Sequence, residues 1–219
     1  MSPDDRGRNE ALSLIRSFMH VSRETEDRLE TYASLLEKWQ KIKNLVGPKT
    51  VDSLWMRHIA DSAQLYPLLK PGCRVVDLGS GAGLPGIILS ILMSDSEPKG
   101  HVALVEANGR KAAFLREVVR QLSLPAIVRA ERIEDFARHA DRFDYVTARA
   151  LAPLKDLVAM GAVWMENGAT ALFFKGQDVD EEIAALSIYG NLSYEKHRSL
   201  TDPAGCILEI RQPVSAAKS

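Results

Sequence analysis

The sequence predicts an α/β fold: a doubly wound, mostly parallel sheet with an antiparallel C-terminal strand, preceded by an N-terminal helical extension. Three observations carry that expectation. Apolar residues recur at helical spacing over the first third of the chain. Beyond Pro71-Gly72, short apolar runs alternate with helical segments, the pattern of a parallel sheet covered on both faces. The first of those runs meets its helix through a glycine cluster, Gly79-Ser80-Gly81-Ala82-Gly83-Leu84-Pro85-Gly86.

In chain order, Leu29, Tyr32, Ala33, Leu36, Trp39, Ile42 and Val46 fall on one helical face and form a stripe that packs onto the following domain. Gly47-Pro48 ends that helix, because glycine accepts a left-handed cap and proline cannot continue the ladder. A further helix is expected over 51–66. Strands are expected at 74–78, 102–105, 126–128, 143–147 and 170–174, with helices at 84–93, 110–122, 133–140 and 154–164 between them. The segments 192–197 and 205–211, separated by the polar turn Leu200-Thr201-Asp202-Pro203-Ala204, read as a closing antiparallel pair. The expected division is a helical extension over 1–70 and a ligand-binding domain over 71–219.

Composition narrows the function class. At 219 residues, 46% hydrophobic and 26% charged, the chain has the profile of one globular α/β domain with a short appendage. Disordered, collagenous and low-complexity classes are excluded. Twenty-eight basic against 29 acidic residues leave a net charge of -1, which excludes an indiscriminate polycationic nucleic-acid binder but permits a local basic face. Cys73 and Cys206 lack C-x-x-C spacing and read as reduced thiols in the core, and no metal site is expected. No run approaches the roughly 18 apolar residues of a membrane span, and the charged N-terminus lacks a signal-peptide core. A cytoplasmic monomer without membrane association is the expectation.

The glycine cluster sits where doubly wound folds bind ligands, at the carboxyl edge of the sheet. Glycines there let the backbone turn sharply and approach a ligand unobstructed. Gly81-x-Gly83-x-x-Gly86, with Glu106 twenty residues on, matches the dinucleotide fingerprint letter for letter. The register argues against that reading, because the glycine directly off the strand is Gly79, with Asp77 two residues before it. The Asp77-x-Gly79-x-Gly81-x-Gly83 arrangement resembles motif I of class I S-adenosylmethionine-dependent methyltransferases, which have a Rossmann-like fold. Their cofactor carries a sulfonium and an amino-acid end, whose ammonium favours a carboxylate such as Asp77. The other strand ends agree. Glu106 closes the second strand, where a carboxylate accepts both ribose hydroxyls, and Ile133-Glu134-Asp135 follows the third, where an apolar residue and an acid flank an adenine. A lone acid is more often a solvated surface charge; three at successive strand ends favour a cofactor site.

The fourth strand end narrows the acceptor. Enzymes that methylate exocyclic amines of adenine or cytosine usually carry Asn/Asp-Pro-Pro-Tyr there, whereas this chain has Thr147-Ala148-Arg149-Ala150-Leu151-Ala152-Pro153. Neither cysteine lies where carbon-5 methylation of cytosine needs its nucleophile. The strand ends are cationic instead, with Arg149 after the fourth and Lys175 in Phe173-Phe174-Lys175-Gly176 after the fifth. Guanine N7 fits such a site: its lone pair is methylated without loss of a proton, and its N7/O6 edge is read by Arg or Lys. Arg149 and Lys175 are therefore the candidate catalytic residues, with surface cations as the plainer alternative.

Taken together, Trp39…Asn44-Leu45, Arg57-His58-Ile59-Ala60-Asp61-Ser62, Asp77 through Gly86, Ala148-Arg149-Ala150 and Lys175-Gly176 closely resemble the GidB (RsmG) family of bacterial 16S ribosomal RNA N7-guanine methyltransferases. The resemblance runs from Leu29 to Gln177 and is loose beyond Gly190. Ser80 and Ala82 stand where the family often has Thr and Pro, and Asn44-Leu45-Val46 lacks the usual Thr, changes that alter loop stiffness without removing a functional group. The resemblance implies methylation of guanine 527 of 16S ribosomal RNA, in the decoding region of the small subunit or its precursor. It implies S-adenosylmethionine as methyl donor, S-adenosylhomocysteine as product, and no metal. Carried over by position, Gly79, Leu84, Ile133, Glu134 and Arg149 contact the cofactor together with Asp77, Gly81 and Gly83, and Glu106 holds the ribose. His58, Arg110, Lys111 and Arg132 are the RNA candidates beside Lys175, with Lys38, Lys41, Lys43 and Lys49 extending a basic face. A histidine such as His58 is more often a packed helix residue than a ligand. Competing readings are methylation of another RNA, a protein or a small molecule, a nicotinamide-dependent oxidoreductase, and a regulatory module that binds cofactor without catalysis.

Overall fold

The computed structural model describes residues 3–43, 54–96, 98, 100–139, 141–186 and 192–212, and only the backbone of 3–5 and 40–43. Asn44, Leu45, Val46, Gly47-Pro48 and Lys49 lie outside the described residues, as do the side chains of Lys41, Ile42 and Lys43.

Helices α1 (Pro3–Arg16) and α2 (Arg23–Lys43) form the N-terminal layer. Ser22 caps α2, its Oγ accepting from the Thr25 amide at 3.0 Å. Both hydroxyls also donate to Asp95 Oδ2 at 2.7 Å, and Arg28 pairs with Asp95 Oδ1 at 2.6 Å. Those bonds hold the Asp95 carboxyl at about 2 and tie the start of α2 to the chain beyond the first crossover helix. Leu29, Tyr32, Ala33 and Leu36 are buried, and the Trp39 ring lies 5.4 Å from that of Phe114, so the stripe covers the sheet domain.

The helix expected over 51–66 is not continuous where it is described. A π-helical turn, Trp55–Ala60, runs into the short α3 (Asp61–Ala63), and a 3-10 turn follows at Tyr66–Leu68. Its signature is the bond from the Asp61 amide to the Met56 carbonyl, which spans one residue more than an α-helical bond. Pro67, lacking an amide hydrogen, sits inside the 3-10 turn.

The sheet is built from β1 (Arg74–Leu78), β2 (His101–Val105), β3 (Ala126–Arg129), β4 (Tyr145–Ala148), β5 (Thr170–Lys175), β6 (Ser193–Arg198) and β7 (Cys206–Arg211). Its order is β3-β2-β1-β4-β5-β7-β6. The first five strands are mutually parallel, and β7 lies antiparallel between β5 and β6. The crossovers are α4 (Gly86–Met93), α5 (Gly109–Leu122), α6 (Ile133–Phe136) and α7 (Leu154–Glu166), with α8 (Val179–Ala184) after β5. Alternate strand residues feed two cores. Val75, Val102, Leu104 and Leu172 join α1, α2, α4 and α5; Val76, Ala103, Val105, Ala171 and Phe173 join α6, α7 and α8. Burial on both faces explains why the central strands read as continuous apolar runs.

Two crossover elements differ from expectation. The third is a helical turn and a 3-10 turn, Ala137–His139, because Phe136 is the only buried side chain in it and no apolar stripe extends it. Helix α8, which periodicity did not announce, buries Val179 alone.

Candidate functional site

Strand order reverses between β1 and β4, and the carboxyl ends of those strands open the crevice in which doubly wound sheets hold ligands. The glycine loop lies there. Gly79, Gly81 and Gly83 have φ of 61°, 58° and 96°, in the left-handed region that side chains rarely adopt. They differ in what surrounds them. A Cβ on Gly79 would sit 2.5 Å from Leu151 Cδ1, and one on Gly83 2.3 Å from Ile87 Cγ1. A Cβ on Gly81 would meet nothing nearer than the Gly79 carbonyl at 3.7 Å, so the space above Gly81 is open.

Three side chains from different elements fix this loop. Tyr32, fully buried on α2, donates its hydroxyl to the Ala82 carbonyl at 2.9 Å. Glu106, 8% exposed at the end of β2, accepts from the Gly81 amide through Oε2 at 2.8 Å and from the Asn108 amide through Oε1 at 2.7 Å. Each oxygen keeps a further lone pair. Asp77 does not open onto the cleft where a cofactor ammonium would meet it. It has no exposed surface, accepts from Thr147 Oγ1 at 2.9 Å and the Gly86 amide at 3.2 Å, and lies beneath the loop. Burial raises its pKa from 3.8 to about 6, against the lowering effect of its hydrogen bonds.

Other expected residues are spread around this edge. Leu84 is buried beside the loop. Half-buried Ile133 and exposed Glu134 begin α6 beyond β3, with Arg132 exposed at its N-cap. Asn108 caps α5 by accepting from the amides of Arg110 and Lys111 at 3.0 and 3.2 Å, which leaves the Arg110 side chain exposed and that of Lys111 half-buried.

Arg149 follows β4 and turns toward the π-helical turn. Its Nε pairs with Asp61 Oδ2 at 3.2 Å, while Nη2 donates to the Arg57 carbonyl and to His58 Nδ1, the latter at 3.1 Å. Its guanidinium lies 5.7 Å from the Phe174 ring centroid. Arg149 Nη1 and His58 Nε2 are buried without a hydrogen-bond partner among the described residues. Arginine can only donate, so His58 accepts at Nδ1 and carries its ring proton on Nε2. Burial, with Arg149 beside it, lowers the His58 pKa from 6.5 to about 4. Asp61 is raised by burial, against the pull of Arg149.

The tail completes the cavity. Thr201, between β6 and β7, donates to Asp61 Oδ1, and the Leu200 amide donates to Gln64 Oε1 at 2.8 Å. A cleft of about 350 Å³ is lined by Arg149, Phe174, Lys175, Asp178, Glu182 and Asp202, among others. Lys175, at the end of β5, is tied to Glu182 Oε2 at 2.7 Å. Cys206 also lines the cleft, with its thiol pKa raised by burial, whereas Cys73 is buried and raised to about 11. Arg149 and Lys175 therefore share this cleft and His58 adjoins it through Arg149, while Arg110, Lys111 and Arg132 sit at the β2 and β3 ends. Sequence reasoning placed Tyr32 in a packing stripe, Phe174 in a strand and Asp202 in a turn, and assigned none of them to the site. Asp61 had a signal, an acid three residues after His58 on the same helical stretch, but nothing pointed to the tail loop that meets it 140 residues later.

Two separate buried groups, Asp77 and His58, give pH-dependent expectations of opposite sign. The folded chain keeps a proton on Asp77 between pH about 4 and 6 that the unfolded chain releases, so this contribution to stability falls as pH rises through that window. His58 acts oppositely: between pH about 6.5 and 4 the unfolded chain binds a proton that the folded chain refuses, so stability falls as pH falls. Asp77→Asn keeps an acceptor for Gly86 and a donor for Thr147 while removing the first slope. Urea unfolding should show this variant gaining on wild type by up to ~3 kcal/mol from pH 4 to pH 7. An equal difference at both pH values would mean that Asp77 titrates as an ordinary carboxylate.

Comparison with known proteins places this architecture. The family model for GidB, rRNA small subunit methyltransferase G, matches residues 25–205. The chain is 45% identical over 212 residues to a ribosomal RNA small subunit methyltransferase G of Rhodopseudomonas palustris, covering 95% of this chain and 88% of that one. It is 48% identical over 193 residues to the enzyme of the same name from Paramagnetospirillum magneticum, covering 88% and 91%. Among solved structures, a methyltransferase from Geobacter sulfurreducens superimposes with a TM-score of 0.56 at 14% identity, covering 84% of this chain and 89% of that one, a likeness of fold.

Proposed function

The chain belongs to the GidB family of S-adenosylmethionine-dependent methyltransferases, and from that membership we propose that it methylates N7 of a guanine in 16S ribosomal RNA, guanine 527 of the decoding region. The substrate is the small ribosomal subunit or its precursor, and the protein acts in the cytoplasm. Among the described residues no helix is long and apolar enough to cross a membrane.

The cofactor end fits the residues present. The open space above Gly81 admits a ligand against bare backbone, and Glu106 keeps lone pairs for two ribose hydroxyls while holding the loop. Leu84, Ile133 and Glu134 flank the remainder. When bound, S-adenosylmethionine supplies an electrophilic methyl carbon on a sulfonium. Asp77 and Tyr32 order the loop from below and behind. Residues 1–70 are in this reading a helical extension and 71–219 the cofactor-binding domain, joined functionally where Tyr32 meets Ala82.

The observation that carries the N7 reading is the state of the ionisable groups that contact Arg149 and Lys175. His58 Nδ1 is committed to Arg149, Asp61 to Arg149 and Thr201, and Glu182 to Lys175. None of these three, the groups that contact the two cations, is free to take a proton, whereas Asp178 and Asp202 line the cleft outside those contacts. An exocyclic amine or a hydroxyl must lose a proton on methylation, whereas N7 does not, so positioning the base suffices. Arg149 and Lys175 hold O6 of guanine and adjacent phosphate, leaving the N7 lone pair free, and His58, Arg110, Lys111 and Arg132 line the approach of the RNA.

The test is differential binding and transfer. S-adenosylhomocysteine should bind and NAD should not, and labelled methyl groups should enter small-subunit RNA rather than transfer RNA or protein. Binding of NAD alone would restore the dinucleotide reading, and label in protein would remove RNA as the acceptor.

A further inference from the structure

If guanine N7 is the nucleophile, its lone pair must stay free, so a cation bound there would occupy the reacting atom. Arg149 then reaches O6 alone, and O6 by itself identifies guanine poorly. The opposite edge offers two donors, N1–H and the 2-amino group, and flipped bases are read along that edge and by stacking. Two donors call for a carboxylate. The cleft contains four, of which Asp61 is held by Arg149 and Thr201, and Glu182 by Lys175 and the Leu154 amide. Asp178 and Asp202 remain.

Asp202 is the one built into place. Its amide donates to Ser199 Oγ at 3.1 Å, its carbonyl accepts from the Gly205 amide at 3.0 Å, and the preceding Thr201 is pinned to Asp61. Its carboxylate accepts only from the Ala204 amide, through Oδ1 at 3.0 Å, which leaves Oδ2 without a partner among the described residues. It lines both the 350 Å³ cleft and an adjoining cavity of about 180 Å³ that Arg149, His58 and Asp61 also line. Asp178, exposed as Asp202 is, caps α8 and borders only the first. We infer that Asp202, in the loop between β6 and β7, is the guanine-specificity residue: its carboxylate receives the N1–H and 2-amino donors while Phe174 faces the ring and Arg149 meets O6. This inference rests on the N7-guanine reading of the same site.

The probes are GMP, IMP, which lacks only the 2-amino group, and AMP, each titrated by calorimetry into protein saturated with S-adenosylhomocysteine. Wild type should bind GMP roughly tenfold tighter than IMP, the value of one hydrogen bond to a charged acceptor, and AMP more weakly still. Asp202→Ala should bring the GMP/IMP ratio to about one, and Asp202→Asn, which keeps one acceptor, should leave it in between. Asp178→Ala should keep the wild-type ratio. Unchanged S-adenosylhomocysteine affinity reports intact folding in each variant. A GMP/IMP ratio preserved in Asp202→Ala, no discrimination by wild type, or loss of discrimination in Asp178→Ala would each overturn the assignment. A protein that selects GMP in this way yet methylates no RNA keeps this inference and loses the RNA reading; methylation of ribosomal RNA without such selection does the reverse.

Discussion

Arg149→Ala is expected to lower methyl transfer by about a hundredfold or more while the protein remains folded. The side chain joins three elements, pairing with Asp61, donating to the Arg57 carbonyl and His58, and covering Phe174. Its loss removes the cation at the base site and releases the π-helical turn that carries His58. Misplacing a reacting group by about 1 Å can cost a hundredfold. Arg149→Lys should recover only part of the activity, because an ammonium cannot reproduce the planar fork that reaches two partners at once. A second readout separates positioning from simple stability. Arg149 helps to hold the His58 pKa near 4, so in Arg149→Ala the His58 resonance should titrate nearer its ordinary range by NMR. Wild-type turnover in Arg149→Ala would remove the residue from the site.

Glu106→Ala should weaken S-adenosylhomocysteine binding by about a hundredfold or more, since two hydrogen bonds to a carboxylate are lost at about 1.5–3 kcal/mol each. The carboxylate also anchors the Gly81 and Asn108 amides, so part of the loss comes from a loosened loop. Glu106→Gln separates the two contributions. The amide keeps an acceptor for one of the two backbone amides and carries no charge, so it should bind the cofactor with intermediate affinity and unfold between wild type and Glu106→Ala. Calorimetric titration measures both variants; unchanged affinity in Glu106→Ala would show that the ribose lies elsewhere.

The central sheet was legible because its strands are buried on both faces, so β2 reads as an apolar run and β1 as one broken only by Asp77, and β1 falls on its expected residues. The glycine loop was legible because backbone at positive φ leaves few residue types besides glycine. What the loop's neighbours do was harder to read. Asp77 looked like a residue facing a cofactor, yet Thr147, seventy residues away, turns it into a strut beneath the loop. The π-helical turn hides within helical spacing, because one extra residue in a turn leaves the apolar pattern of Trp55, Ile59 and Ala60 intact. The tail was read correctly as an antiparallel pair, but local pattern says nothing about insertion: β7 slots between β5 and β6, and its loop reaches Asp61. Long-range pairing of this kind places Asp202 in the cleft.

The most direct measurement is methyl transfer from labelled S-adenosylmethionine to small ribosomal subunits that lack the modification, with N7-methylguanine located by chemical cleavage of the 16S RNA. The expected result is label at one guanine of the decoding region, at a single cleavage position, with Arg149→Ala nearly inactive. Label on an exocyclic amine or a ribose hydroxyl, or at many guanines alike, would contradict a site that holds one base and removes no proton.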